Sequence, residues 1–363
     1  MIVLAWIVLS FTVIQLLVAL VNLIFSQPFH RQETSYNALV SVLIPARNEE
    51  KNIAVILSDL QQLQYKNLEI IVFNDQSEDK TAEIVKEFAK KDVRIKLINS
   101  TDLPAGWLGK NHACYSLAKI ATGEYFLFID ADVRVYGKII SETVTFSENH
   151  KLGLLSIFPR QIMKSRGEWF TVPNMNYILL TLLPLILVRK TGFQSLAAAN
   201  GQFMLFKAAI YNKLQPHEKM KSSKVEDIQI ARYLKKNKIK TACVTSKYSI
   251  QCRMYSGFGD AVNGFSKNVT MFFGDSFIAA ILFWLITSLG FVVVIMQFPL
   301  PVIIFYLLAF ILIRVAVSAA SSQNILKNIL FIVPQQLTMG LFITKAIENK
   351  LRKRLVWKGR SIS

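Results

Sequence analysis

Tyr125-Phe-Leu-Phe-Ile-Asp130-Ala-Asp132 sets an apolar run against two carboxylates one residue apart. The run is too short for a helix, follows a Gly123 breaker and is rich in aromatic and β-branched residues, so it reads as a buried strand. The same cadence repeats upstream. Leu39–Ile44 is an apolar run ending at Pro45, Glu69–Phe73 is another ending at Asn74-Asp75, and Arg94–Ile98 is a shorter one. Between them lie segments with helical spacing, Asn48–Gln62, Asp79–Lys90 and Leu108–Ala121. Strands alternating with helices predict an α/β domain with a Rossmann-like, mostly parallel sheet. Arg47, Glu49, Asp75, Asp130 and Asp132 all fall just after strand ends, the edge along which open α/β sheets bind ligands.

Each motif has a plain reading beside a chemical one. Asp130-Ala-Asp132 is either a solvated acidic turn or a site for a hard cation. Mg²⁺ and Mn²⁺ take few protein carboxylates and complete their shells with water and phosphate oxygens. In Asn74–Thr81, Ser77 and Asp79 suffice to cap the following helix, which leaves Asp75 free to accept a base N–H. The loop Ile44-Pro-Ala-Arg-Asn-Glu-Glu50 can border a nucleotide through Pro45, Ala46 and Glu49, or can simply place acids at a helix start. Lys224–Arg232 opens an amphipathic helix with Glu226 and Asp227 in its first turn.

Together, Pro45-Ala-Arg-Asn-Glu-Glu, the Asp75 loop, Gly109-Lys-Asn111 and Asp130-Ala-Asp132 resemble the family 2 glycosyltransferases with the GT-A fold, over roughly residues 40–268. The resemblance implies that Asp75 binds the base and that Lys110 contacts base or phosphate. It gives Asp130 and Asp132 the ribose and the Mg²⁺ or Mn²⁺ on the diphosphate, and Asp227 the catalytic base. Asn200, Gly201 and Glu226 then fall on the acceptor side. Gln251-Cys-Arg-Met-Tyr255 departs from the Gln-x-x-Arg-Trp motif of processive members, which argues against polysaccharide synthesis. Arg-Met-Tyr255, Asn263–Asn268 and Trp357-Lys-Gly-Arg360 are instead similar to the membrane-bound members that act on carotenoid acids or sit in hopanoid clusters. On that resemblance Arg253 and Lys267 contact the diphosphate; their plain reading is lipid-headgroup binding. The acceptor implied is a membrane lipid, with polyprenyl phosphate as the alternative. A catalytically inactive scaffold is the non-enzyme reading, and the retained acids speak against it.

The chain has 363 residues, 52% hydrophobic and only 18% charged, with a formal charge of +18. That composition excludes intrinsic disorder. Three scattered cysteines exclude a disulfide scaffold. The apolar excess is local. Residues 1–29 lack any charge and predict an N-terminal membrane anchor, and 276–320 predict two more transmembrane helices around Pro299 and Pro301. Arg314, near the end of the last, is expected to snorkel to the interface. Residues 38–275 form the expected catalytic domain, with 169–188 as an interfacial helix. Residues 328–344 read as interfacial or re-entrant, and 345–363 as a basic tail. Arg31 and the tail put the catalytic domain on the cytoplasmic face of a multi-pass inner-membrane protein. The excess charge suits anionic lipid; nucleic-acid binding is set aside, because the basic residues flank membrane segments.

Overall fold

The computed structural model describes residues 1–26 and 36–351, with a two-residue ladder joining 356–357 to 360–361. Arg31, Arg352, Lys353, Arg354 and Lys358 lie outside the described residues. Helix α1 is Ile2–Ile24. Then β1 (Val40–Ala46), α2 (Ile53–Gln62), β2 (Leu68–Asn74), α3 (Thr81–Lys91), β3 (Ile95–Asn99), α4 (Gly109–Ile120) and β4 (Tyr125–Ile129) alternate strictly. Helix α2 starts five residues later than its spacing predicts. Residues 48–50 are pinned instead to the neighbouring loop, with Asn48 N–H donating to Ser77 Oγ at 3.0 Å and Glu50 N–H to Asp79 Oδ2 at 3.0 Å. Ser77 is thereby drawn away from its expected cap, and Asp79 takes the Thr81 N–H at 3.0 Å.

The chain continues through β5 (Val133–Val135), α5 (Ile139–His150), β6 (Leu154–Phe158), β7 (Arg160–Gln161), α6 (Arg166–Thr171), α7 (Pro173–Leu182) and α8 (Leu185–Lys190). Next come β8 (Phe203–Lys207), α9 (Ala208–Leu214), α10 (Pro216–Lys219), α11 (Glu226–Lys236), β9 (Thr241–Thr245), β10 (Ile250–Cys252) and α12 (Phe258–Asn268). The main sheet has the order β3-β2-β1-β4-β8-β6-β9. It is parallel except for β8, which runs antiparallel to β4 and β6. Strand pleating divides the core. Tyr125, Leu127 and Ile129 pack on one face with α2, while Phe126 and Phe128 pack on the other with α4 and α11. Reversal of β8 matters for the site, because it brings the start of that strand beside the end of β4, with Phe203 opposite Ile129. A second sheet, β5-β10-β7, lies just beyond Asp132.

Three helices are long and apolar enough to cross a membrane: α1, α13 (Phe277–Gln297) and α14 (Leu300–Ala320). Helices α15 (Ile325–Leu330) and α16 (Ile332–Leu351) follow. The ends that meet the α/β domain are the second half of α1, the first half of α13 and the second half of α14, so that domain lies on one side of all three. Residues 169–188 do not form a single helix. They break at Val172 and at Pro184, and α7 is buried between α1, α14 and α16. Gln15 Nε2 donates to Thr181 Oγ1 at 3.1 Å, and Asn174 Nδ2 to Gln335 O at 2.9 Å. Arg314 does not snorkel. It is only 3% exposed, its guanidinium lies 3.8 Å from the Tyr177 ring centroid, and Nη1 donates to Gln335 Oε1 at 3.2 Å. The packed helices around it close off the path to the interface.

Candidate active site

Strand ends bring the predicted donor residues together. Pro45, Ala46, Arg47, Glu49, Asp75, Gly109, Lys110, Asp130 and Asp132 surround a cavity of about 170 Å³. Its floor is rigid because adjacent loops hold one another. The Asp75 N–H donates to Ala46 O at 2.8 Å, and Arg47 Nη1 donates to Asp75 O at 2.7 Å. The Asp75 residue is 3% exposed.

A larger cavity of about 510 Å³ shares the wall of Lys110, Asp130 and Asp132. Its lining combines polar Asn200, Gly201, Glu226, Asp227 and Lys267 with apolar Met175, Ile178, Leu179 and Leu182 of α7. Gly201 N–H donates to Asp227 Oδ2 at 3.0 Å, and Ile228 N–H, in the first turn of α11, donates to Asp227 Oδ1 at 2.8 Å. A methyl group on Gly201 would come within 3.1 Å of Lys110 Nζ and 3.3 Å of Glu226 Oε1, so only glycine fits comfortably there.

Charge is distributed unevenly across the shared wall. Lys110 Nζ lies 2.9 Å from Asp130 Oδ1 and 3.4 Å from Glu226 Oε1. Burial alone would depress the lysine, but the two carboxylates outweigh it and hold the ammonium well above its ordinary value. Asp132 is pushed up to about 7 by burial, with Asp130 and Glu49 adding to the effect. Its Oδ1 is shielded from solvent and has no hydrogen-bond partner. Burial, helped by Glu226, pushes Asp227 up to about 7 as well. A divalent cation fits this donor set. It would relieve the orphaned Asp132 oxygen and the crowding of Asp130, Asp132 and Glu49. Among the described residues no cluster of three or more His, Cys, Asp and Glu gathers to hold a metal.

Residues 41–215 match the family described as Glycosyl transferase family 2. Over those residues the chain is similar to that family. Its relatives include the 4,4'-diaponeurosporenoate glycosyltransferase of Staphylococcus haemolyticus, 27% identical over 66% of this chain and 64% of that protein. The protein of the same name from Staphylococcus aureus strain USA300 is 36% identical over 36% of this chain and 34% of its own length. The chain thus spans less than two thirds of either relative. A solved mannosyltransferase from Pyrobaculum calidifontis, in complex with GDP-Man and Mn²⁺, superposes with a TM-score of 0.55 at 16% identity, covering 96% of this chain and 99% of that one. At that identity the likeness is one of fold, and the glycosyltransferase domain here is of the GT-A type.

Not every predicted residue reaches the glycosyltransferase site. Arg253 lines neither cavity. It lies 2.7 Å from Glu168 Oε1, and that carboxylate is fully buried. The Arg253 loop precedes α12, and Glu168 stands in the first turn of α6, so the pair ties those elements together. Lys267 does line the large cavity, and burial lowers its pKa. Sequence reasoning missed Gln202, Tyr255 and the α7 side chains, all of which line the large cavity. It also missed Cys252, whose thiol hydrogen-bonds Asp132. Gln202 carried a signal as the neighbour of Asn200 and Gly201, Cys252 and Tyr255 as members of the Gln251–Tyr255 motif, and α7 as part of the 169–188 segment.

Proposed function

We propose that this protein is an inverting, metal-dependent glycosyltransferase that moves a sugar from a UDP-sugar to an apolar lipid acceptor such as a carotenoid acid or another isoprenoid lipid. The observation that carries the proposal is the shared wall. A small polar cavity at the strand ends and a large, half-apolar cavity reaching α7 meet at Lys110, Asp130 and Asp132. A donor in the first and a lipid in the second would bring their reacting atoms together there, which is catalysis by proximity.

In this mechanism Asp75 and the Pro45–Glu49 loop hold the nucleoside. The charged Lys110 ammonium faces the departing diphosphate, where a fixed positive charge stabilises the transition state. Asp130 and Asp132 would hold Mg²⁺ or Mn²⁺, which supplies Lewis-acid stabilisation of the leaving group. Asp227, across the shared wall, takes the proton of an acceptor hydroxyl. A carboxylic acid acceptor arrives already ionised, and Asp227 then orients it. Lys224, Arg232 and Lys267 around the large cavity suit an anionic head. They keep sugar transfer to a polyprenyl phosphate as a second reading.

The membrane reading is multi-pass, with the catalytic domain on the cytoplasmic face of the inner membrane and basic residues against anionic lipid. A cysteine placed at exposed Lys91 should resist an impermeant thiol reagent in intact cells and react after permeabilisation; ready labelling from outside would overturn the orientation. The activity itself is tested by mass spectrometry of lipids from a deletion strain. Loss of one glycolipid is expected, and its fragments name sugar and acceptor. An unchanged lipid profile, together with no transfer by purified protein from UDP-sugars to the lipid extract, would overturn the proposal.

A further inference from the structure

Cys252 closes β10 at the centre of the small sheet, opposite Val133 on β5 and Gln161 on β7. Its side chain is fully buried. Val133 directly follows Asp132, so the register sets the thiol beside that carboxylate, and the two are hydrogen-bonded. The thiol S–H donates and a carboxylate oxygen accepts. The sulfur in turn accepts from Gln202 Nε2 at 2.9 Å. Gln161 Nε2 donates to Gln202 Oε1 at 3.4 Å, which fixes which end of the Gln202 amide faces the sulfur. The backbone carbonyl of Gln202 accepts the Asp130 N–H at 3.3 Å, and Gly201, one residue earlier, holds Asp227. One short segment, 200–202, therefore holds the Asp130 backbone directly, reaches the Asp132 carboxylate through Cys252, and holds the Asp227 carboxylate across the wall.

We propose that Cys252 and Gln202 are positioning residues that aim the Asp132 carboxylate, leaving its buried Oδ1 without a protein partner and available to a divalent cation. The inference rests on the metal-dependent reading above. Outer partners that orient a ligating carboxylate are worth about 10- to 100-fold in metal affinity. Cys252 lines neither cavity, and Gln202, which lines the large one, turns its amide to the sulfur.

The test uses the full chain in detergent and measures free Mn²⁺ by electron paramagnetic resonance during titration with Mn²⁺ alone. Cys252→Ala should weaken binding at least about tenfold. Cys252→Ser, which keeps a donor at the same place, should stay within about threefold of wild type on that scale. Wild-type affinity in Cys252→Ala, or an equal loss in Cys252→Ser, overturns the proposal. If Cys252→Ala does not fold, Gln202→Leu decides. It keeps the thiol and the volume but frees the sulfur, and a loss of about tenfold supports the positioning role while no loss overturns it. A wild-type protein that binds neither Mn²⁺ nor Mg²⁺ sinks the metal reading and this proposal with it. Wild-type binding with an indifferent Cys252→Ala sinks the positioning role alone.

Discussion

The donor cavity and the acceptor cavity share a wall but are built on different principles. Residues of the small cavity, assigned above to the donor, come from the ends of β1, β2 and β4, the loops just after them and the start of α4, and neighbouring loops clamp one another through hydrogen bonds. Acceptor residues come from α7, the loop before β8, α11 and α12, and their alignment depends on how those pieces pack against membrane helices. A strand-end pocket is fixed by the sheet. A pocket between packed helices is free to vary in shape while the chemistry beside it stays put.

That contrast can be broken by substitution. The largest effect belongs to the shared wall: Asp132→Ala should bring transfer to background while the protein still inserts, and EDTA should do the same to wild type until Mn²⁺ or Mg²⁺ is restored. Full activity in EDTA would remove the metal from the mechanism. Asp227→Asn comes next, with a loss of about 10²–10⁴-fold in kcat for a hydroxyl acceptor and a smaller one for a carboxylic acid. Because the Asp227 carboxyl titrates at about 7, the wild-type rate with a hydroxyl acceptor should climb through that pH and then level, and the Asn variant should lose that rise. Its folded pKa lies above the usual value for aspartate, so the stability its proton confers is complete in acid and is lost as pH rises through about 7.

Smaller effects separate the two cavities. Leu182→Trp, in the α7 lining, should raise the KM for a lipid acceptor roughly tenfold and leave hydrolysis of the nucleotide-sugar unchanged. A matching change in donor KM would mean that the cavities are not independent. Gly201→Ala should slow transfer roughly tenfold, since its contacts call for shifts of a few tenths of an ångström and a full ångström costs about 10²-fold. Arg253→Gln should leave donor KM alone and lower the melting temperature, because Glu168 would stay buried without its cation. A raised donor KM would return Arg253 to the diphosphate.

Legibility followed the same division. The alternation of strands and helices, and the carboxylates at Asp75, Asp130 and Asp132, were readable because a strand end is a local event marked by local residues. What escaped was set by distant packing. Nothing in Phe203–Lys207 announces an antiparallel strand, yet that reversal carries Gly201 to Asp227 and Gln202 to Asp130. Arg314 was read from its position in an apolar run, but its surroundings come from α7 and α16, over a hundred residues upstream and some twenty downstream. Arg253 was matched by its place beside a motif, and a single buried glutamate redirects it.

Helix α1 bears on how the molecule is made. Asn22 donates to Leu180 O and Leu183 O at 2.9 Å each and accepts from Leu185 N–H at 2.7 Å, all about 160 residues later in the chain. As the ribosome delivers the chain, α1 is made about 160 residues before those partners exist, so the Asn22 amide finds them only when α7 and α8 arrive. Assembly therefore includes docking α7 and α8 back onto α1, a segment made well before them. Cutting that segment away would leave three backbone groups without partners and an apolar face uncovered, so it belongs to the folding unit as much as to the membrane.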